Sequence, residues 1–379
     1  MADGREVVAR IGRGVGAFAA ADWDACAGAD NPFLSHAFLS ALEDSGSVGG
    51  RSGWQALPIS IDDADGTPAA VMPAYVKTHS QGEYVFDHAW ADAYERAGGE
   101  YYPKLQIAVP FTPVPGRRLL ARDPAQIPAL IAAAEAVVTN NGLSSAHATF
   151  VDQAELDHYR RAGWLLRTDR QFHWHNDGYG NFADFLAALA SRKRKGIRKE
   201  REAAVEGLVV HQIEGRDICE THWDAFWGFY QDTGNRKWGR PYLTRRAFSL
   251  LSERMPERIL LFMATRSGVP IAGALNFIGN DTLYGRYWGA TEDVPYLHFE
   301  LCYYQAIEAA IARRLSRVEA GAQGEHKLAR GYVPVATHSA HFIAHAGLRQ
   351  AIAQYLEAER RAVANNIEFL GEMTPFKKG

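Results

Sequence analysis

The stretch Arg258–Ile278, RILLFMATRSGVPIAGALNFI, decides the fold. Two apolar runs, Arg258 to Thr265 and Ile271 to Ile278, flank Gly268-Val269-Pro270. Runs of this length around a Gly-containing turn predict a β-hairpin, with Pro270 at the start of the returning strand, where its missing N–H is tolerated. The pattern occurs once before: Trp54 to Ile61, Gly66-Thr67-Pro68, then Ala69 to Lys77. Each hairpin is followed by a third strand, Leu105 to Phe111 in the first copy and Thr282 to Trp288 in the second. A helix comes next, about Pro124 to Val138 and about Leu297 to Arg314, and then a last buried strand, Ser144 to Val151 and Ser316 to Ala320. Hairpin, strand, helix, strand, twice over, predicts two copies of one α/β unit. The length of 379 residues agrees, being about two ordinary domains. The halves meet around Asp152 to Asn176, and a helix near Asn181 opens the second. The expected domains are 1–165 and 166–379.

An apolar content of 47%, with 11% aromatic residues, is ample for two packed cores. The formal charge of −3 argues against wholesale nucleic-acid binding and against DNA as a partner, but leaves room for a local basic patch. Cys26, Cys219 and Cys302 lie far apart without a CxxC pair, as expected of reduced thiols in a cytosolic protein. Arg5, Glu6, Arg10 and Arg13 interrupt the N-terminal apolar residues, so no secretory signal is expected. No apolar run approaches the ~20 residues of a membrane span. A soluble, cytoplasmic protein is expected.

The segment Gly321-Ala322-Gln323-Gly324-Glu325-His326-Lys327, running on to Arg330 and Gly331, directly follows a buried strand end. Such a loop can present an acid, a base and two cations to one small volume, and it is the leading candidate for function. The run Ser191 to Lys199 holds six cations, among them Arg192, Arg194 and Arg198. Like charges so close repel one another, and a phosphate-bearing partner relieves that cost; CoA, a nucleotide-linked sugar and tRNA all qualify. Arg117, after the proline-rich Val109 to Gly116, is a further anion contact. Glu300 shares a helical face with Tyr304, Ile307 and Ile311, where a carboxylate serves either as a base or as a favourable charge at a helix start. His338, His341 and His345 fall at helical spacing, and the apolar Leu348 and Ile352 continue their face, so packed histidines are expected rather than a metal. His173 and His175 share one face of a strand. Between Thr78 and Lys104 lies a long aromatic insertion, read either as a binding loop or as a cap on a core.

Several stretches together resemble one bacterial family. They are Tyr102-Pro103-Lys104-Leu105 with Pro110-Phe111-Thr112-Pro113, Lys237-Trp238-Gly239-Arg240-Pro241-Tyr242-Leu243, Tyr287-Trp288-Gly289, Leu297-His298-Phe299-Glu300 and the GAQGEHK loop. The family is the FemAB-like predicted N-acyltransferases of peptidoglycan biosynthesis or recognition, and the resemblance spans roughly Asn31 to Glu359. It implies an α/β (α+β) fold of two tandem GNAT-like domains with mixed central sheets.

The resemblance also implies transfer of an acyl or aminoacyl group to an amine on a small molecule or peptide, with a peptidoglycan precursor as one candidate. The donor would be acyl-CoA or aminoacyl-tRNA, used as co-substrate with no tightly bound cofactor. Lys327, with Gly331 four residues on, resembles the Fem-type lysine that stabilises negative charge, although His326 replaces the aromatic residue there. The GNAT pyrophosphate loop is not matched by Ala290-Thr291-Glu292-Asp293, which counts against acetyl-CoA. On this reading Glu325, His326 or Glu300 is the base and Lys327 holds the oxyanion. Arg330, Arg117, Arg192, Arg194 and Arg198, with Lys237, Trp238, Tyr304 and Gln323, bind substrate or donor. The alternative is a non-catalytic binding module for muropeptides or nucleotide-sugar precursors.

Overall fold

The computed structural model describes residues 8–237, 241–321 and 324–377, without the side chains of 234–237. The chain forms two compact units, Met1–Asp169 with Thr337–Ala364, and Arg170–Ala336 with Asn365–Gly379. The first contains strands β1 (Ala9–Ile11), β2 (Trp54–Ala56), β3 (Ile59–Asp62), β4 (Pro68–Met72), β5 (Ala74–Lys77), β6 (Lys104–Ile107), β7 (Leu120–Ala121) and β8 (Ser145–Val151). Strand β9 (Leu165–His175) begins in the first unit and ends in the second. The second unit contains β10 (Val209–Glu214), β11 (Ile259–Arg266), β12 (Val269–Ile278), β13 (Thr282–Ala290) and β14 (Arg317–Glu319). Strand β15 (Val333–Ile343) begins in the second unit and ends in the first, so the last part of the chain returns to the first unit.

Both units carry the expected series of pairings. In the second, β11 and β12 form the antiparallel hairpin and β12 pairs antiparallel with β13. After a helical crossover, β14 returns parallel to β13, from Thr282↔Arg317 to Tyr284↔Glu319. A parallel neighbour requires such a crossover. In the first unit β5 pairs antiparallel with β6, and β8 returns parallel to β6 from Leu105↔Ala146 to Ile107↔Ala148. Its hairpin is broken, because Pro58 and Pro73 cannot donate to the ladder. The pieces β3 and β4 join a four-stranded sheet in the order β1-β3-β4-β7, whereas β2 and β5 pair with each other beside β6 and β8. These are two GNAT-like units with mixed sheets.

Each crossover helix buries one stripe against its sheet. In the first unit, helix Ile127–Asn140 packs Leu130, Ile131, Ala134, Val137 and Val138 onto β3, β6 and β8. In the second, Leu297, Leu301, Tyr304, Ile307 and Ile311 line the core beneath β12, β13 and β14. Each fully buried aliphatic side chain contributes roughly 1.5–3 kcal/mol. The second crossover is not one regular helix: Leu297–Phe299 passes through a π-helical turn, Glu300–Tyr304, into helix Gln305–Ala312. Helix Glu220–Lys237 lies so close to β13 that a Cβ on Gly289 would stand 2.1 Å from the carbonyl oxygen of Phe229.

One expectation changes, and one open reading is decided. His338 and His341 lie on strand β15, not on a helix; Thr337, Ser339, His341 and Ile343 alternate inward. His345 instead accepts from the amide of Leu348 and starts the helix Ala346–Glu372. The aromatic insertion caps a core. Trp90 and Tyr101 are buried with Ile343, Ile352 and Leu356, and helix His88–Arg96 forms within the insertion. Among the described residues no helix is long and apolar enough to cross a membrane.

Candidate active site

The second unit opens where β13 and β14 part. Their parallel pairing ends at Tyr284↔Glu319, while β13 runs on to Ala290. Just beyond the last pair the β12–β13 ladder carries a bulge. Leu275 faces Tyr287 and Asn276 faces Gly285, so Arg286 has no opposite residue. Bulges re-aim side chains and are common beside active sites. A cavity of about 110 Å³ occupies the gap, walled by Asn276, Gly285, Arg286, His298, Cys302, Tyr303 and Gly321 among others. The ladder between β5 and β6 in the first unit is regular over Ala74–Lys77.

Lys327 stands at this gap. Gly321 and Gly324 take positive φ values of 78° and 117°, conformations that favour glycine, and the chain then enters a 3-10 turn, Glu325–Arg330. Leu328 is buried in the core of the unit and anchors that turn. The turn folds Lys327 inward to 1% exposure, with Nζ donating to the carbonyl of Gly321 in the cavity wall at 2.9 Å. Burial lowers its pKa from 10.5 to about 7; Cys302 opposes that change and Arg286 adds to it. Among the described residues no carboxylate partners the ammonium.

Glu319, the last residue of β14, directly precedes Ala320 and Gly321 in the wall. It is buried beside Arg317 at 3.3 Å and His173 at 3.9 Å, and Oε2 has no hydrogen-bond partner among the described residues. Burial raises its pKa to about 7, while Arg317 and Arg286 pull it down. Neither Glu319, Asn276 nor the bulge at Arg286 was singled out from sequence. A carboxylate inside the apolar Arg317–Ala320 run and a lone Asn in the apolar Ile271–Ile278 run were the available signals.

The other predicted residues divide into those near the gap and those committed elsewhere. His326 is exposed, with Nε2 2.8 Å from the hydroxyl of Tyr303, which lines the cavity. Glu325 is exposed and pairs with Arg170 at 3.4 Å. Glu300 is buried but not open to a substrate: Arg201 grips both its oxygens, and Gln305 donates to Oε1 at 2.8 Å. Arg330 donates to the carbonyl of His326 and to Glu200, and lies 3.4 Å over the ring of Phe299. Tyr304 is buried and its hydroxyl donates to the same Glu200. Glu300, Arg330 and Tyr304 therefore position the site's walls. In the first unit, Arg117 donates to the carbonyls of Cys26 and Ala27 and closes the end of helix Ala20–Ala27 instead of binding an anion. Gln323 and Trp238 lie outside the described residues, as does the side chain of Lys237.

The basic run forms the first half of helix Ser191–Ala204. Its second half is tied to the site through Glu200 with Arg330 and Arg201 with Glu300. The side chains of Arg192, Lys193, Arg194, Lys195, Arg198 and Lys199 make no ion pair or hydrogen bond with a described residue, and all but the half-buried Arg194 are exposed. No acidic residue stands in the first turn, so these cations sit at the positive end of the helix dipole, where an anion is the stabilising neighbour.

The first unit buries a different polar group. Lys104 pairs with Glu83 at 2.7 Å and Asp87 at 2.5 Å, and His147 meets His341 at 2.7 Å through their Nδ1 atoms. Among the described residues, no cluster of three or more His, Cys, Asp or Glu is arranged to hold a metal.

The FemAB-like family, described as peptidoglycan biosynthesis/recognition, matches residues 14–378. The chain belongs to that family. No curated protein matches the FemAB-like chain. Among solved structures it is similar to FemX, with a TM-score of 0.53 at 11% identity, covering 88% of this chain and 97% of that one. It is also similar to L-PGS from Bacillus licheniformis, with a TM-score of 0.51 at 9% identity, covering 92% and 98%. A third is the C-terminal domain of a putative lysylphosphatidylglycerol synthetase from Agrobacterium fabrum, with a TM-score of 0.52 at 10% identity, covering 88% and 95%. At such identities the likeness shows the fold alone: the FemAB-like chain shares it nearly end to end.

Proposed function

We propose that the second unit is an N-acyltransferase whose reaction takes place at the gap between β13 and β14. Family membership supports acyl transfer as the chemical class. The observation that carries the assignment is Lys327, a buried lysine without a carboxylate partner among the described residues, held against the wall of the cavity. A folded protein keeps such a residue at a cost, and a developing oxyanion at the carbonyl being attacked uses it. As charge builds on that oxygen, Lys327 holds its proton more firmly and stabilises the tetrahedral intermediate. One such donor is worth on the order of 3–4 kcal/mol of the barrier.

The amine acceptor arrives as an ammonium and must lose a proton before attack. Glu319, buried, with a free oxygen and a pKa near 7, is the base on this reading. Glu325, exposed and paired with Arg170, and His326, exposed and bonded to Tyr303, are outside the cavity lining. The donor carries phosphates, as acyl-CoA and aminoacyl-tRNA both do, and the unpaired cations of Ser191–Ala204 hold them next to the π-helical turn and the Lys327 turn. The acceptor is an amine on a small molecule or peptide, with peptidoglycan precursors first to be tried because of the family's description.

The test is a thermal-shift screen of acyl-CoAs, aminoacyl-tRNAs and peptidoglycan precursors, followed by transfer assays on the hits. Transfer by wild type and its loss in a folded Lys327→Ala protein is the expected result. Turnover of Lys327→Ala within a few-fold of wild type removes Lys327 from the chemistry and the assignment with it.

A further inference from the structure

We propose that Cys302 is a nucleophile that takes the acyl group from the donor as a thioester before passing it to the amine. The inference rests on the acyl-transfer reading above and adds a covalent step to it. Cys302 lies in the middle of the π-helical turn Glu300–Tyr304 and lines the cavity. His298 lines the same cavity, four residues earlier on the same helical segment. That spacing places two side chains on one face. An imidazole that shares a cavity wall with a thiol can take its proton and produce an attacking thiolate. Single π-helical turns within helices are frequent at functional sites, and the turn here includes Cys302, which lines the cavity, and Glu300, which is bound to Arg201.

The cavity shows independently that it is built for a polar ligand. Asn276, 1% exposed, lines it. Its Nδ2 donates to the carbonyls of Leu260 and Ala274, but Oδ1 accepts from no described residue. A buried acceptor left unpaired is costly, and an N–H group on a ligand relieves it. An acyl donor with an amide-bearing arm offers that group, and so does the attacking amine. The remaining wall holds the Gly321 carbonyl with Lys327 Nζ bonded to it. A nucleophile, a base and an unsatisfied acceptor thus line one small volume, and Lys327 is bonded to its wall.

In the first step His298 takes the thiol proton, and Cys302 Sγ attacks the acyl carbon of a thioester or ester. The oxyanion forms beside Lys327. The bond from carbon to the donor's sulfur or oxygen then breaks, and the leaving group recovers the proton from His298. In the second step the deprotonated amine attacks the Cys302 thioester, the amide bond forms, and Cys302 leaves as the thiolate and is reprotonated. No oxidant or reductant is consumed. Of the other two cysteines, Cys26 is buried with Sγ on the carbonyl of Pro68, and Cys219 is an exposed thiol with Sγ 3.0 Å from the Thr221 hydroxyl and 3.4 Å from Nδ1 of His222, so it serves as the reactive surface control.

The full-length protein is incubated with p-nitrophenyl acetate or with acetyl-CoA, quenched in acid, digested and mapped by mass spectrometry. The expected result is a hydroxylamine-labile acetyl group on the peptide carrying Cys302, separate from any label on the exposed Cys219. In His298→Asn, shown by circular dichroism to be folded, its formation slows by about a hundredfold, while labelling of Cys219 is unchanged. No acetyl group on Cys302 of wild type with either probe, or the same rate in His298→Asn, overturns the inference. Transfer to an amine by Cys302→Ala at the wild-type rate also overturns it and leaves the acyl-transfer reading standing. A Cys302 thioester that passes to no amine does the reverse, keeping the nucleophile and removing the transferase.

Discussion

Replacing Lys327 by Met should make the protein more stable and inactive at once. In wild type the drop of the Lys327 pKa from 10.5 to about 7 measures how much the folded protein disfavours the ammonium. At about 1.4 kcal/mol per pH unit this is roughly 5 kcal/mol, an upper bound at neutral pH because the site can relax around the charge. Methionine keeps the length and apolar stem of lysine without the charge. It forfeits the bond to the Gly321 carbonyl, about 1 kcal/mol. A net gain of about 2–4 kcal/mol near pH 7 follows. The sign of its pH dependence is fixed by linkage. Between about 7 and 10.5 the unfolded chain binds the proton that the folded one has lost, so wild-type stability rises with pH over that window. The advantage of Lys327→Met should therefore be greatest at about pH 7 and below, and should fade toward pH 10. Equilibrium urea unfolding of both proteins at the two ends of the window measures this, read as the midpoint shift at constant m. A variant less stable than wild type near pH 7, or an advantage that does not change with pH, refutes the picture of an uncompensated buried lysine.

Three other outcomes are expected. Transfer should follow a bell-shaped pH profile centred near 7, rising as Glu319 ionises and falling as Lys327 loses its proton; Glu319→Gln should abolish the rising limb, and a profile unchanged in that variant excludes Glu319 as the base. Changing Arg192, Arg194 and Arg198 together to Ala should weaken donor binding and, for an RNA donor, flatten the log–log salt slope by roughly 2–3; equal affinities and slopes in a filter-binding titration reduce the run to a solvated face. Gly289→Ala should destabilise by about 3 kcal/mol or more, because its Cβ meets the carbonyl oxygen of Phe229 at 2.1 Å, and a thermal midpoint equal to wild type shows that helix Glu220–Lys237 does not pack that tightly on β13.

The sequence by itself determined the duplicated unit. Apolar runs, Gly-containing turns and proline positions are local signals, and β11, β12, β13 and β14 appear within a few residues of where those signals put them. It also determined the Lys327 loop, since a strand end followed by glycines and charges is legible without neighbours. Other features follow from residues that meet only after folding. His338 and His341 satisfied a helical spacing and a strand alternation alike, and pairing with β8, where His341 faces His147, decided for the strand. Arg117 read as a free cation because its acceptors, the carbonyls of Cys26 and Ala27, lie about ninety residues earlier. Glu300 read as a base because Arg201, which neutralises it, comes from another helix 99 residues away. The bulge at Arg286 and the end of pairing at Tyr284↔Glu319 are properties of strand register, and the cavity holding Asn276, His298 and Cys302 exists only through them. Charge and hydrophobic pattern are written along the chain, whereas burial and pairing, which set the pKa of Lys327 and Glu319 and leave Asn276 unsatisfied, arise only when distant segments displace water from one another.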